Sequence, residues 1–205
     1  MELRRGVLIV IEGIDGAGKS TQARLLLKKL VSHGYPAVYF REPTRGRWGR
    51  KIKELSRRAD AISAEEELDL FLMDRRENVE RNLKPALSQG KVVILDRYYF
   101  STMAYQGAKG ISPARIQRMN EKFAVRPDLV FILDIDPGRG LERIRWRKRK
   151  DLLFERKDYL AKVRRIFRRF RGRKFIHIDG SRPRKEVHRD IASKVLSLLK
   201  ARNIM

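Results

Sequence analysis

The chain has no cysteine and only three histidines, His33, His177 and His188, each standing alone. That excludes disulfides, thiolate metal sites and a cysteine nucleophile, and leaves no imidazole cluster to hold zinc. Long apolar runs are also missing. The first one, 7–11, is closed by Glu12, and nothing approaches the roughly 18 consecutive apolar residues of a membrane span. The expectation is a cytoplasmic protein without a membrane segment. Acidic residues are few beside basic ones, 25 Asp plus Glu against 49 Lys plus Arg, for a net charge of +24. Two nucleotide-protein signatures are absent as well. There is no Asn-Lys-x-Asp guanine reader, since 120–122 reads Asn-Glu-Lys, and no Leu-Ser-Gly-Gly transporter motif.

What remains is 205 residues with a hydrophobic fraction of 42% and aromatics spread along the chain. This is enough for one domain with its own core and argues against disorder. The basic surplus points to anionic partners: nucleic acid, an anionic membrane surface or small phosphorylated molecules. It does not choose among them.

Five short β-branched or aromatic runs recur at 7–11, 37–40, 92–95, 129–135 and 175–178. They are continuous rather than alternating, as strands of a sheet covered on both faces must be. Helical stretches lie between and after them at 20–31, 64–88, 113–123, 137–149, 155–170 and 184–200. Strand alternating with helix predicts an α/β fold with a five-stranded parallel sheet flanked by helices on both faces. In 155–170 the apolar positions Leu160, Val163, Ile166, Phe167 and Phe170 share one helix face, leaving Lys162, Arg164, Arg165, Arg168 and Arg169 on the others. No repeat or linker divides the chain, so 1–205 reads as a single domain.

Gly13-Ile14-Asp15-Gly16-Ala17-Gly18-Lys19-Ser20 satisfies G-x-x-x-x-G-K-[ST], with an apolar strand before it and a helix start, Thr21 onward, after it. Its backbone N–H groups and the helix N-terminus suit phosphate, with Lys19 on the β/γ-phosphates of ATP and Ser20 on Mg²⁺. The third strand runs into Asp96-Arg97-Tyr98. A carboxylate and a guanidinium thus emerge together at the carboxyl edge of a buried strand, where ligands bind in open α/β sheets. Asp96 could hold a Mg²⁺-bound water and Arg97 could bridge acceptor and donor phosphates; on the residues alone, a surface ion pair is the other reading. Asp134 ends the fourth strand and is a rival, but no Arg adjoins it in sequence.

In order and spacing, these segments resemble the thymidylate (dTMP) kinases among the P-loop nucleoside monophosphate kinases. The resemblance is carried by 11–22, Arg41-Glu42-Pro43, Phe71 with Arg75, Asp96-Arg97-Tyr98 followed by Ser101, 104–108 reading Ala-Tyr-Gln-Gly-Ala, Pro127-Asp128-Leu129, and Gly140-Leu141 with Arg143-Ile144. It implies γ-phosphoryl transfer from ATP to dTMP with Mg²⁺, in a protein that is typically a homodimer. It further implies that Phe71 stacks on thymine, although on the residues alone Phe71 reads as core in preference. Arg75 would donate to a base carbonyl, and Tyr105 would wall off the ribose 2′ position. Asp15 would hold the sugar 3′-hydroxyl, Arg45 and Arg97 the acceptor phosphate, and Ser101 and Gln106 the base pocket. A lid would occupy about 139–155.

Two departures stand out. Some members carry a catalytic arginine in the phosphate loop where this chain has Gly16, and Leu152-Leu153 interrupts the usual lid ending Asp-Arg-Phe-Glu. The transferred group's cation is then expected from the lid, with Arg143 and Arg147 as candidates. Two other readings stay open. One is a kinase for another pyrimidine nucleotide or a deoxynucleoside. The other is a nucleic-acid-binding ATPase, suggested by the arginines of 164–171, although its aromatics fall on the apolar stripe and are poorly placed to stack on bases. Nucleic acid is neither required nor excluded. Residues 139–174 alone hold seventeen Lys/Arg against four Asp/Glu.

Overall fold

A computed structural model describes residues 5–56, 62–144 and 150–204. The strands are β1 (Val7–Glu12), β2 (Ala37–Arg41), β3 (Val92–Asp96), β4 (Leu129–Asp134) and β5 (Phe175–Asp179), all parallel in the order β2-β3-β1-β4-β5. Each lies where the apolar runs predict it. β1 and β3 are buried throughout, while the edge strands β2 and β5 are mostly half-buried or exposed. That difference follows from position: a central strand has both faces covered, so every residue must be apolar or specifically partnered.

The helices are α1 (Lys19–Ser32), α2 (Arg47–Leu55), α3 (Ala64–Asn78), α4 (Lys84–Ser88), α5 (Tyr99–Ala108), α6 (Pro113–Glu121), α7 (Pro137–Arg143), α8 (Lys150–Phe167) and α9 (Arg184–Ile204). α1 packs on β1 to β3 and on α9, whereas α5 packs on α6, α8 and α3. Among the described residues no helix is long and apolar enough to cross a membrane.

Several helix boundaries differ from the sequence expectation. The stretch 64–88 divides into α3, a π-helical turn at Val79–Leu83, and α4. Pro85 sits at the start of α4 and has no N–H to give the preceding turn, so a regular α-helical ladder cannot run through it. The helix foreseen over 137–149 ends at Arg143, with 145–149 outside the described residues, and α8 begins at Lys150 instead of 155. α2 and α5 were not expected as helices. The apolar face of α8 is as anticipated: Leu160, Val163 and Phe167 are buried. On its polar side Arg164 and Arg168 close on Asp134, the former through Nε to Oδ1 at 2.5 Å. Burial works against the Asp134 charge, but those hydrogen bonds outweigh it and hold the carboxyl below its usual range. Asp134 therefore ties α8 to β4.

Candidate functional site

The register of the sheet gathers the chemistry at one edge. Asp96 ends β3 opposite Ile11 of β1 and Arg41 of β2, and Glu12 ends β1 opposite Ile132 of β4. The phosphate loop leaves from the centre of that edge, and α1 begins at Lys19 behind Gly18 in the left-handed conformation. The loop and α7 touch backbone to backbone. A Cβ on Gly16, whose φ is +80°, would lie 2.1 Å from the Gly140 carbonyl oxygen, and one on Gly140 would lie 2.5 Å from that of Asp15. Side chains at either position are excluded by contact.

A cleft of about 480 Å³ opens along the loop, lined by residues 15–22 and, facing them, Arg41, Arg97, Arg143, Gly180, Arg182 and Arg184. It is walled on one side by loop N–H groups and on the other by arginines. Lys19 is buried, and its Nζ donates to the Ile14 carbonyl at 2.7 Å. Burial and the neighbouring Arg97 push the Lys19 ammonium down to about 7, with Asp15, Asp96 and Glu12 opposing. A polyphosphate in the cleft would restore its charge. The Ser20 hydroxyl donates to Asp96 Oδ2 at 2.5 Å, and Tyr39 donates to the same oxygen at 3.1 Å. Asp96 is 1% exposed, yet its Oδ1 has no hydrogen-bond partner among the described residues.

Arg97 joins the donor loop to a second set of residues. Its guanidinium is ion-paired with Asp15 through Nη2, donates to Ser101 Oγ through Nη1 at 3.1 Å, and lies 5.2 Å from the Tyr105 ring centroid. Its backbone is left-handed, with φ +71°, a conformation that non-glycine residues seldom adopt. Burial disfavours the Arg97 charge, but Tyr105, Asp15 and Glu12 outweigh that and keep it protonated. Tyr105 also meets Tyr159 and Phe167 edge-on, and burial pushes its phenol up to about 12.

The residues expected around the base lie in different settings. Phe71 is half-buried and stands outside the core cluster, so it is not simply a core residue. Arg75 is almost fully buried and already engaged. Its Nε donates to Glu42 at 2.8 Å, Nη1 to Asn120 at 2.7 Å and Nη2 to Thr102 at 3.0 Å. Gln106 is buried, with Nε2 on Glu67 at 2.8 Å and Oε1 unpartnered. Ser101 is turned toward Glu12 and Arg97. Arg45 is exposed on the loop after β2 and does not line the cleft, while Arg143 does, its Nη1 donating to the Gly180 carbonyl at 3.0 Å. Arg147 lies outside the described residues.

Four supporting groups had no role in the sequence reading. Glu12 is buried and binds the start of α5. Glu42 anchors Arg75 and accepts from Asn78 at 3.0 Å; burial pushes its carboxyl up while Arg75 and Asn78 pull it back. Buried Asp74 accepts both the N–H and the hydroxyl of Thr44, at 2.8 and 2.6 Å, and so braces the loop bearing Arg45. Tyr39 steadies Asp96. The available signal was the appearance of carboxylates at strand ends and inside an apolar helix face, where an unpartnered charge would not be tolerated.

Residues 11–191 match the family model described as thymidylate kinase. A probable thymidylate kinase of Archaeoglobus fulgidus is 43% identical over 193 residues, covering 94% of this chain and 96% of that protein. A thymidylate kinase of Akkermansia muciniphila is 47% identical over 184 residues, 90% of this chain and 88% of its own. One from Brachyspira hyodysenteriae is 39% identical over 201 residues, 98% and 97% of the two chains. A match spanning most of the chain, together with a phosphate loop facing an Asp-Arg strand end, leads to one conclusion: the chain belongs to the thymidylate kinase family.

Proposed function

We infer that the chain transfers the γ-phosphoryl group of ATP to dTMP, giving dTDP and ADP, as one kinase domain, 1–205, with a lid at about 139–155. The observation that carries this reading is Arg97. It stands between the phosphate loop, through Asp15, and the residues resembling a deoxynucleotide pocket, through Ser101 and Tyr105. An oxygen of the dTMP phosphate attacks the γ-phosphorus in line as the bond to the β–γ bridging oxygen breaks. A dianionic acceptor phosphate needs no base to remove a proton. The loose transition state leaves the enzyme mainly positioning and charge stabilisation to supply.

In this reading the loop N–H groups and Lys19 hold the β- and γ-phosphates. Arg97 and Arg45 clamp the acceptor, and Asp15 orients the 3′-hydroxyl. Phe71, Arg75 and Gln106 face the base, with Tyr105 against the sugar. Arg143 or Arg147 brings the lid cation, and lid closure keeps water from the γ-phosphate. Ser20 and Asp96 fit a magnesium ion. Both offer hard oxygen, and the unpartnered, buried Oδ1 of Asp96 is an acceptor waiting for a cation or its water. Such a site needs only one or two protein ligands beside the substrate phosphates, and the described residues contain no cluster of three acidic or imidazole groups. Bound there, Mg²⁺ supplies neutralisation of the phosphate charge.

Coupled turnover with a panel of monophosphates tests the reading. dTMP should be preferred over UMP and dCMP, and equal rates would sink the base assignment. Turnover of a nucleoside lacking the 5′-phosphate would instead favour a nucleoside kinase, and DNA-stimulated, steeply salt-dependent ATP hydrolysis would favour a nucleic-acid ATPase. The homodimer implied by the family resemblance belongs to the same reading; light scattering that returns the mass of one chain would overturn it.

A further inference from the structure

One fully buried carboxylate, Glu12, has no part in the chemistry above. It closes β1 immediately before the phosphate loop and is 0% exposed. Its partners all lie at the start of α5. Oε1 accepts the backbone N–H of Tyr98 at 2.8 Å and of Ser101 at 3.1 Å, while Oε2 accepts the Ser101 hydroxyl at 2.5 Å.

Two facts say what this arrangement is for. The N-cap residue of α5, Tyr98, gives no side-chain cap, and the Ser101 N–H, which also reaches the Tyr98 carbonyl at 3.0 Å, finds its side-chain acceptor elsewhere. Glu12 provides that cap from a different strand. A serine at the cap position would cap the Ser101 N–H locally with no charge in the interior, but would leave the N–H of its own residue unserved. The remote carboxylate achieves something a local cap cannot: it bolts α5 to the strand that bears the phosphate loop. The second fact is the direction of the Ser101 hydroxyl. When Glu12 is ionised the Ser101 proton goes to it, and the oxygen lone pairs are free for the Arg97 Nη1 donor at 3.1 Å. The other end of the Arg97 guanidinium rests on Asp15, and its left-handed backbone donates to the Ile11 carbonyl at 3.1 Å.

We propose that Glu12 is a positioning residue for the acceptor-phosphate clamp, acting through Ser101 to fix the Arg97 guanidinium relative to the phosphate loop. This rests on the reading of Arg97 as that clamp. An amide at position 12 inverts the polarity of the chain. If its oxygen keeps the Tyr98 and Ser101 N–H groups, its nitrogen faces the Ser101 hydroxyl as a donor. The serine proton then has to swing away, toward another donor on Arg97.

The experiment is steady-state kinetics above pH 8, where Glu12 is ionised, with dTMP and ATP varied separately in Glu12→Gln, Ser101→Ala, the double variant and Arg97→Ala, with thermal unfolding of each. The expected result is a KM for dTMP raised about tenfold in both single variants, with KM for ATP within about twofold of the parent. The double variant should be no worse than the worse single one, because both cut the same chain of bonds. A dTMP KM unchanged in Glu12→Gln and Ser101→Ala, while Arg97→Ala raises it, would overturn the proposal and leave the clamp intact. An unchanged dTMP KM in Arg97→Ala would remove the clamp itself. Equal rises in both KM values would show that Glu12 serves only the general fold. Should Glu12→Gln fail to fold, Glu12→Asp takes its place, since it keeps the charge but shortens the reach to Ser101; an unchanged KM for dTMP in it overturns the proposal.

Discussion

Ser20 and Asp96, 76 residues apart in sequence, share a hydrogen bond of 2.5 Å, and the oxygen of Asp96 that Ser20 does not use is buried without a partner. The pair places a hydroxyl at the start of α1 against a carboxylate at the end of β3, which is the donor set expected beside a metal-bound triphosphate. Asp96→Asn keeps the shape and removes the charge. Its kcat should fall about 100-fold or more, with a higher Mg²⁺ requirement, measured by titrating the metal at saturating ATP and dTMP. Activity and metal dependence close to the parent's would take Asp96 out of the site.

Tyr39 offers a finer probe, because its hydroxyl donates to the Asp96 oxygen already held by Ser20. Burial and the adjacent Asp96 push the Tyr39 phenol up, so it stays a donor across the working pH range. Tyr39→Phe should shift the Mg²⁺ concentration for half-maximal rate by about tenfold with little change in unfolding temperature. Direct Mn²⁺ binding in the presence of ATP checks the same shift without turnover.

Arg143 and Arg147, the two candidates for the cation at the transferred group, should separate kinetically. Arg143 is held by the Gly180 carbonyl on the wall of the cleft, so Arg143→Ala is expected to raise the KM for ATP and lower kcat by less than tenfold. If Arg147 reaches the transferred group, Arg147→Ala should lower kcat by about 10³-fold. A kcat near the parent's for Arg147→Ala would move that role to Arg143 or Arg149.

Arg75 should matter for folding before it matters for the base. Its removal leaves Glu42 buried and short of its charged partner, and breaking such a pair typically destabilises by about 3–5 kcal/mol. Urea unfolding of Arg75→Ala should show a loss of that order. A loss below about 1 kcal/mol would mean that the network around Glu42, Asn120 and Thr102 contributes little.

Glu12 predicts a pH signature in stability. Burial pushes its carboxyl up to about 7, against the pull of Ser101, Arg97 and Tyr98, whereas the unfolded chain ionises near 4.5. Between those values the folded protein holds the proton more tightly, so the stabilisation is complete below about 4.5 and is lost as the pH rises toward 7. The parent should therefore lose on the order of 3 kcal/mol relative to Glu12→Gln across that window, measured by urea unfolding at several pH values. Parallel curves for the two proteins would contradict the shift.

The sheet was legible because a central parallel strand has almost no freedom of composition: β1 and β3 had to be unbroken apolar runs, and they are. The phosphate loop was legible because its fixed glycines, lysine and serine are a local motif. α5 escaped notice for the opposite reason, since seven of its ten residues are buried and no polar stripe marks it as a helix. α2 buries only Gly49 and Ile52, too few to set a period. The bracing carboxylates were hidden for a further reason. Glu12, Glu42 and Asp74 have meaning only through partners 30 or more residues away. Charge tallies likewise could not separate Arg164 and Arg168, which fasten Asp134, from Arg165 and Arg169, which have no ion pair among the described residues.

The contact between Gly16 and Gly140 restricts how this enzyme could change. An arginine at the loop position would need room there, and here α7 occupies that room at Gly140. A single Gly16→Arg replacement would drive its first side-chain carbon into the Gly140 carbonyl before the guanidinium could reach a phosphate. The loop position thus cannot take a side chain without a backbone rearrangement, and on the proposed reading the cation for the transferred group has to come from outside the loop.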